Sequence, residues 1–297
     1  MLALSVVSVL LSIVAGYLLK ANKVVEKDFG QKLLMVGFYF TVPAIFLRTL
    51  SEVEFSKSDI IFLLVLFVGT VLSALAGLAI TKLSGIKDMK RIGSIVLASL
   101  IMNTGFVFSF AQSAFGDYGV AKVALANLIV ATSTYGVGYI VAAAYGNKTK
   151  NWAEIVKKPL TAPPFISILL AIFINITNLD ISKLFPLLDF IGQPTGFLNA
   201  LAVGSLLEIK KIKFEALLPM AARYGVGIIL VGIVALFSVM SSMDKAVLAA
   251  VLLSPLAFNS VTLASLENLD VEYNAAALST SLLLGMITVP LCIILFS

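Results

Sequence analysis

The chain has 297 residues, 60% of them hydrophobic and 12% charged, with a mean hydropathy of +1.07. That balance excludes a soluble domain of this size and indicates an integral membrane protein. The net charge of +5 comes from short basic blocks beside apolar stretches, which fits topology signals and not a nucleic-acid partner. The sequence has no histidine, which removes imidazole acid–base chemistry and histidine metal ligation, and with them most intramembrane hydrolase designs. Its single cysteine, Cys292, permits no intramolecular disulfide. No nucleotide-binding loop is present, so ATP-driven pumping is not expected.

A helix needs about 20 apolar residues to cross a bilayer, and ten such segments follow one another, at roughly 2–19, 32–50, 59–81, 92–114, 119–145, 162–178, 186–207, 214–240, 245–266 and 273–296. The first lacks a basic region ahead of it and carries Lys20 and Lys23 behind it, so it reads as a helix and not a signal peptide. The loops are too short to fold separately, which makes 1–297 one membrane domain. Lys20, Lys23, Lys27 and Lys32 flank the first loop, and Lys82, Lys87, Lys90 and Arg91 the third. Lys148, Lys150, Lys157 and Lys158 fill the fifth and Lys210, Lys211 and Lys213 the seventh, against only Arg48, Lys57, Lys122, Lys183 and Lys245 in the even loops. The positive-inside rule places the odd loops in the cytoplasm and both termini outside a plasma or bacterial inner membrane.

Five segments precede a central connector and five follow it, so the second set enters with opposite orientation. Residues 1–146 and 162–297 are read as inverted repeats, joined by a cytoplasmic connector at 147–161. Within it, Asn151 followed by Glu154 resembles a helix start and predicts a short interfacial helix that places Trp152 at the headgroups. The repeat is echoed weakly: the fourth segment runs through Asn103 to Gly116-Asp117, and the ninth through Asn259 to Leu269-Asp270.

Asn103-Thr104-Gly105 interrupts the fourth segment, and Pro255, with Asn259 one turn later, interrupts the ninth. Lipid cannot satisfy freed backbone groups, so a helix breaks there only where it is buried in protein or lines a wet cavity. Crossed breaks would turn half-helix N-termini toward the midplane, where their partial positive charge suits an anion. The alternative is a plain proline kink with asparagines bonding between helices; two breaks at matching positions favour a binding site. Arg223, inside the eighth segment, either snorkels to the cytoplasmic interface or stands as a fixed charge that partners an anion. The third segment, 61–80, offers Thr70 and Ser73 but no ionisable group for a proton switch.

With these motifs the chain resembles the auxin efflux carrier (PIN-like) family along nearly its whole length. The resemblance rests on Phe40-Thr41-Val42-Pro43-Ala44, Asn103-Thr104-Gly105-Phe106 with Phe115-Gly116, and Lys158-Pro159 to Pro164. It continues at Pro255-Leu256-Ala257-Phe258-Asn259, Asp270, Ser279-Thr280-Ser281 and Thr288-Val289-Pro290. Where the family often continues with glycine and then proline, this chain has Phe108 and Phe110. The resemblance implies an all-α fold of ten transmembrane helices in two inverted five-helix repeats with crossed, broken fourth and ninth helices. That architecture is shared with sodium/proton antiporters and bile-acid symporters. It also implies transport of small organic anions, including auxin-like and dicarboxylate substrates, and allows a homodimer.

Together these readings predict a secondary transporter or facilitator, not an enzyme, working by alternating access without cofactor or metal. The expected substrate residues are Asn103, Thr104, Gly105, Phe106, Pro255 and Asn259, with Phe40 and Pro43 contributing and Arg223 as charge partner. The rivals are a sodium-coupled symporter of the bile-acid type, for which Glu267 and Asp270 are the only nearby carboxylates, and a non-transporting receptor or scaffold.

Overall fold

A computed structural model describes residues 2–52, 56–146, 161, 163–207, 214–237, 240–257 and 259–296, and every regular element among them is helical. The helix expected at Trp152 lies outside the described residues, as does Phe258.

Helix α1 spans Leu2–Ala21. Helix α2, Phe29–Val36, runs through a π turn at Gly37–Thr41 into α3, Val42–Leu50. Pro43 explains the π turn, because its ring would collide with the carbonyl four residues back in a regular helix; the widened turn sits where that collision would fall. Helix α4, Lys57–Leu83, starts with a capping box in which the Ser56 amide donates to Asp59 Oδ2 at 2.7 Å. Helix α5, Met89–Leu100, is capped by Asp88, which accepts from the Lys90 amide at 3.1 Å.

Helix α6, Thr104–Ser133, is two arms joined at Gly116, whose φ of 56° and ψ of −137° suit glycine alone. Thr104 Oγ1 lies 2.9 Å from Asn127 Oδ1 across 23 residues; in a straight helix they would stand about 35 Å apart. The arms therefore fold back on each other, and a Cβ on Gly119 would lie only 2.3 Å from the Ala111 carbonyl oxygen. The second arm continues through a π turn at Thr134–Gly138 into α7, Tyr139–Gly146.

The later helices are α8 Pro163–Thr177, α9 Phe185–Gly192, α10 Thr195–Leu206, α11 Leu218–Phe237, α12 Ser242–Leu252, α13 Asn259–Leu266 and α14 Val271–Phe296. A second hairpin forms where α13 turns into α14, with Asn268 at a φ of 61°. Five apolar runs are long enough to cross a membrane: Lys32–Leu50, Lys57–Leu83, Met89–Val130, Leu218–Leu236 and Val271–Phe296. Shorter apolar helices occupy Val7–Ala21, Gly136–Gly146 and Pro163–Thr177. Large apolar side chains such as Leu11, Leu64, Phe190 and Leu236 stand exposed on their surfaces, as contact with lipid requires.

The helices sort into two groups. Helices α1 to α3 pack with α8 to α10, whereas α4, α5 and α7 pack with α11 to α14; α6 touches both. Small residues let backbones meet inside the first group: a Cβ on Gly16 would lie 2.0 Å from the Leu201 oxygen, and one on Gly204 would lie 1.8 Å from the Ile13 oxygen. Residues 93–103 and 106–111 are buried, so the first break lies inside the protein.

Candidate functional site

Helix α5 ends at Leu100 and α6 begins at Thr104, leaving 101–103 outside helix; α12 ends at Leu252 and α13 begins at Asn259. The two breaks meet. The Asn103 amide donates to Ser254 Oγ at 3.0 Å, and Asn103 Nδ2 donates to the Leu256 carbonyl at 3.0 Å. Asn103 Oδ1 accepts from the Phe106 amide at 2.9 Å, so one side chain caps α6 and grips the other break.

Pro255 supplies no backbone donor, and its neighbours are satisfied from adjacent helices. The Leu256 amide donates to Ser281 Oγ at 3.0 Å, and Thr288 Oγ1 donates to the Leu253 carbonyl at 2.9 Å. Gly285 makes room for the proline ring: a Cβ there would sit 2.7 Å from Pro255 Cδ.

Arg223 lies over the crossing, 0% exposed. Its Nη1 donates to the Ile101 carbonyl at 2.6 Å and its Nη2 to the Ser254 carbonyl, one from each break. A guanidinium thus faces the partial negative ends of α5 and α12. This corrects the snorkelling alternative. With both Nη groups engaged by backbone, the residue acts here as a counter-charge to the breaks.

The opposite half-helix ends are more open. Thr104 is half-buried and Gly105 is exposed; a Cβ on Gly105 would meet only Asn103 Oδ1, at 3.5 Å. Asn259, the first residue of α13, is half-buried, and its amide has no hydrogen-bond partner among the described residues. These are N-terminal turns, rich in backbone donors, and polar side chains stand beside them.

Three expected residues lie elsewhere. Phe106 is 1% exposed and packs on Phe110, ring centroids 5.3 Å apart, so it belongs to the core and not to an open site. Its position, two residues into a helix whose opposite face is open, turns it inward. Phe40, 66% exposed, sits in the π turn of the other helix group. Pro43 lines an apolar groove of about 380 Å³ with Ala44, Leu47, Pro163 and Leu170. Neither shares a hydrogen bond or ring contact with the breaks among the described residues.

Sequence reasoning missed other residues. Ser281 and Thr288 stood in motifs already singled out, but nothing in one dimension shows that they face 253–256. A buried ion cluster also went unread. Lys122 pairs with Asp59 and, at 2.9 Å, with Asp244 Oδ1, while Tyr118 donates to the same Oδ1 at 2.8 Å. The available signal was that each charge falls at or near the edge of an apolar segment; Lys122 was instead read as a loop residue. The cluster ties α4, the second arm of α6 and α12 together.

A buried crossing of two interrupted helices, with satisfied backbone and a partly open polar side, defines a helical membrane protein of the transporter class. A family model described as membrane transport protein matches residues 1–293, and the chain belongs to that family, the PIN-like carriers its motifs resemble. It is a family of transporters, not enzymes. No curated protein sequence matches the chain.

Proposed function

We propose that the chain is a secondary transporter or facilitator of small organic anions, acting by alternating access at the crossed breaks. The observation that carries this reading is the division of the crossing. Its carbonyl side is closed by Arg223, while its N-terminal side keeps Gly105 exposed and the Asn259 amide unpaired. Backbone donors of Thr104 and Gly105 and the side-chain amide of Asn259 would meet a carboxylate there without a dedicated cation, which favours modest affinity, while the Thr104 hydroxyl donates to Asn127. One negative charge moved across the membrane is worth about 2.3 kcal/mol per 100 mV, enough to drive net flux.

In this reading ten spans form two inverted repeats, 1–146 and 162–297, with both termini outside and odd loops cytoplasmic. Paired hairpins support the repeat: Thr104 meets Asn127 around Gly116, and Leu256 meets Ser281 around the turn after α13. The group of α4, α5, α7 and α11 to α14 would move against the group of α1 to α3 and α8 to α10, and the family resemblance allows a homodimer.

Solute counterflow in proteoliposomes tests the reading, with labelled dicarboxylates and indole acids as probes. Exchange of one acid, lost in Asn259→Ala while the protein remains folded, is the expected result. No exchange of any acid by folded, inserted protein would overturn the proposal in favour of a receptor or scaffold.

A further inference from the structure

At the far end of α13 from the crossing, the turn and the first turn of α14 bury two oxygen atoms without a hydrogen-bond partner among the described residues. Glu267 is 4% exposed and its Oε2 has no hydrogen-bond partner. Asn274, 0% exposed, donates its Nδ2 to the Asp270 carbonyl at 3.1 Å and leaves Oδ1 without a donor. The end of α7 is wedged against the same turn, since a Cβ on Gly146 would lie 1.7 Å from the Glu267 carbonyl oxygen. Helix α7 has no basic residue in its last turn.

Every unsatisfied group here is an acceptor, and the helix end beside them carries partial negative charge. An isolated buried carboxylate is strongly unfavourable, so the fold leaves room for something positive. Among the described residues Arg91 is already engaged: it pairs with Asp270 at 3.2 Å and lies over the Tyr273 ring at 4.4 Å. The remaining titratable or charged groups on the turn and the packed elements are Lys90 of α5, Tyr139 and Tyr145 of α7, and Glu272 and Cys292 of α14. A divalent ion generally calls for more carboxylates than the single unpaired one present.

We propose that this turn binds a monovalent cation, a proton or sodium, at Glu267 Oε2, with Asn274 Oδ1, in the first turn of α14, as a second candidate oxygen. The role rests on the transport reading. Helix α13 runs eight residues from Asn259 to Leu266, about 12 Å, so one short rigid helix joins the cation site to the crossing. A cation bound at one end would bias where Asn259 stands at the other, which is the requirement for coupled movement.

Thermal unfolding of the purified full-length protein without substrate tests this directly, in sodium against choline at constant ionic strength and across a pH series. Glu267→Gln keeps the shape and removes the charge, so it should fold at least as well as the wild type. Sodium should raise the wild-type midpoint by about 5 °C at saturation and leave the variant unmoved. A midpoint that falls with rising pH in the wild type and stays level in the variant, with no sodium effect, would identify the cation as a proton. Asp270→Asn, which breaks the Arg91 pair but leaves Glu267, should keep the wild-type cation response. Wild type and Glu267→Gln responding alike in both series would overturn the proposal. Failure of acid exchange in counterflow would leave this result standing, and a flat cation response would leave the crossed-break site standing.

Discussion

The first break brings its own cap: Asn103 caps the helix that follows and reaches across to Leu256, while the Ile101 carbonyl and the Asn103 backbone amide are met by Arg223 and Ser254. The second break depends on its surroundings. Pro255 prevents the helix from closing, and Leu253, Ser254 and Leu256 are met by Thr288, Arg223, Asn103 and Ser281, none of them on α12 or α13. An interruption that brings its own cap can keep its shape while neighbours shift. One that borrows partners is tied to them, and α12, α13 and α14 should move as one body with α11.

The largest effect should come from Arg223, the one charged group among the described residues that donates to a carbonyl of each break. Arg223→Met would strand the Ile101 and Ser254 carbonyls at about 1–3 kcal/mol each, seen as loss of folded protein or a marked fall in the thermal midpoint. Arg223→Lys should recover part of it, because one ammonium cannot span both carbonyls with the fork of a guanidinium. Equal loss in both variants would show that charge alone is not what the breaks need.

Asn103→Ala comes next. It removes a helix cap and the donor to Leu256, together about 2–4 kcal/mol. Asn103→Asp sharpens the comparison, since it keeps the cap but sets a buried carboxylate against the Leu256 carbonyl; a denaturant midpoint no higher than that of the alanine variant is expected. Ser281→Ala, which leaves the Leu256 amide without an acceptor, should cost about 1–3 kcal/mol by the same measurement. If it were neutral, the second break would not depend on α14.

Asn259→Ala should change stability by less than about 0.5 kcal/mol, because the amide holds nothing, and yet abolish exchange. That split between folding and flux separates a substrate contact from a structural one. The smallest effect lies at the surface, where Lys32 sits 3.0 Å from Asp28 and holds its carboxyl below the ordinary range. A lowered folded value means the contribution is present above the unfolded one and is lost as pH falls through the folded one, below about pH 4. Lys32→Ala should flatten that slight acid dependence of the midpoint and leave neutral pH unchanged.

The two breaks were legible to different depths. Pro255 announces an interruption by its chemistry, and Asn103-Thr104-Gly105 by contrast with its apolar flanks. That Asn103 would bond to the second break could not be read, because the contact joins residues 153 apart. The inward turn of Phe106 could not be read for the same reason: adjacency in sequence to a polar turn does not say which way a helix faces. Phe40 and Pro43 came from family likeness, and their place in the other helix group follows from packing that no local pattern encodes.

The sequence by itself determined that this chain lives in a membrane and is built of helices, since hydropathy, proline and glycine act on the backbone locally. It also marked the two interruptions and the family. Only the tertiary structure decided what becomes of the freed backbone groups: that Arg223 is spent on two carbonyls, that Asn259 is left unpaired, and that Glu267 and Asn274 are buried with oxygens unmet. Those outcomes depend on which surfaces meet once helices pack, because burial and hydrogen-bond satisfaction belong to the assembled fold.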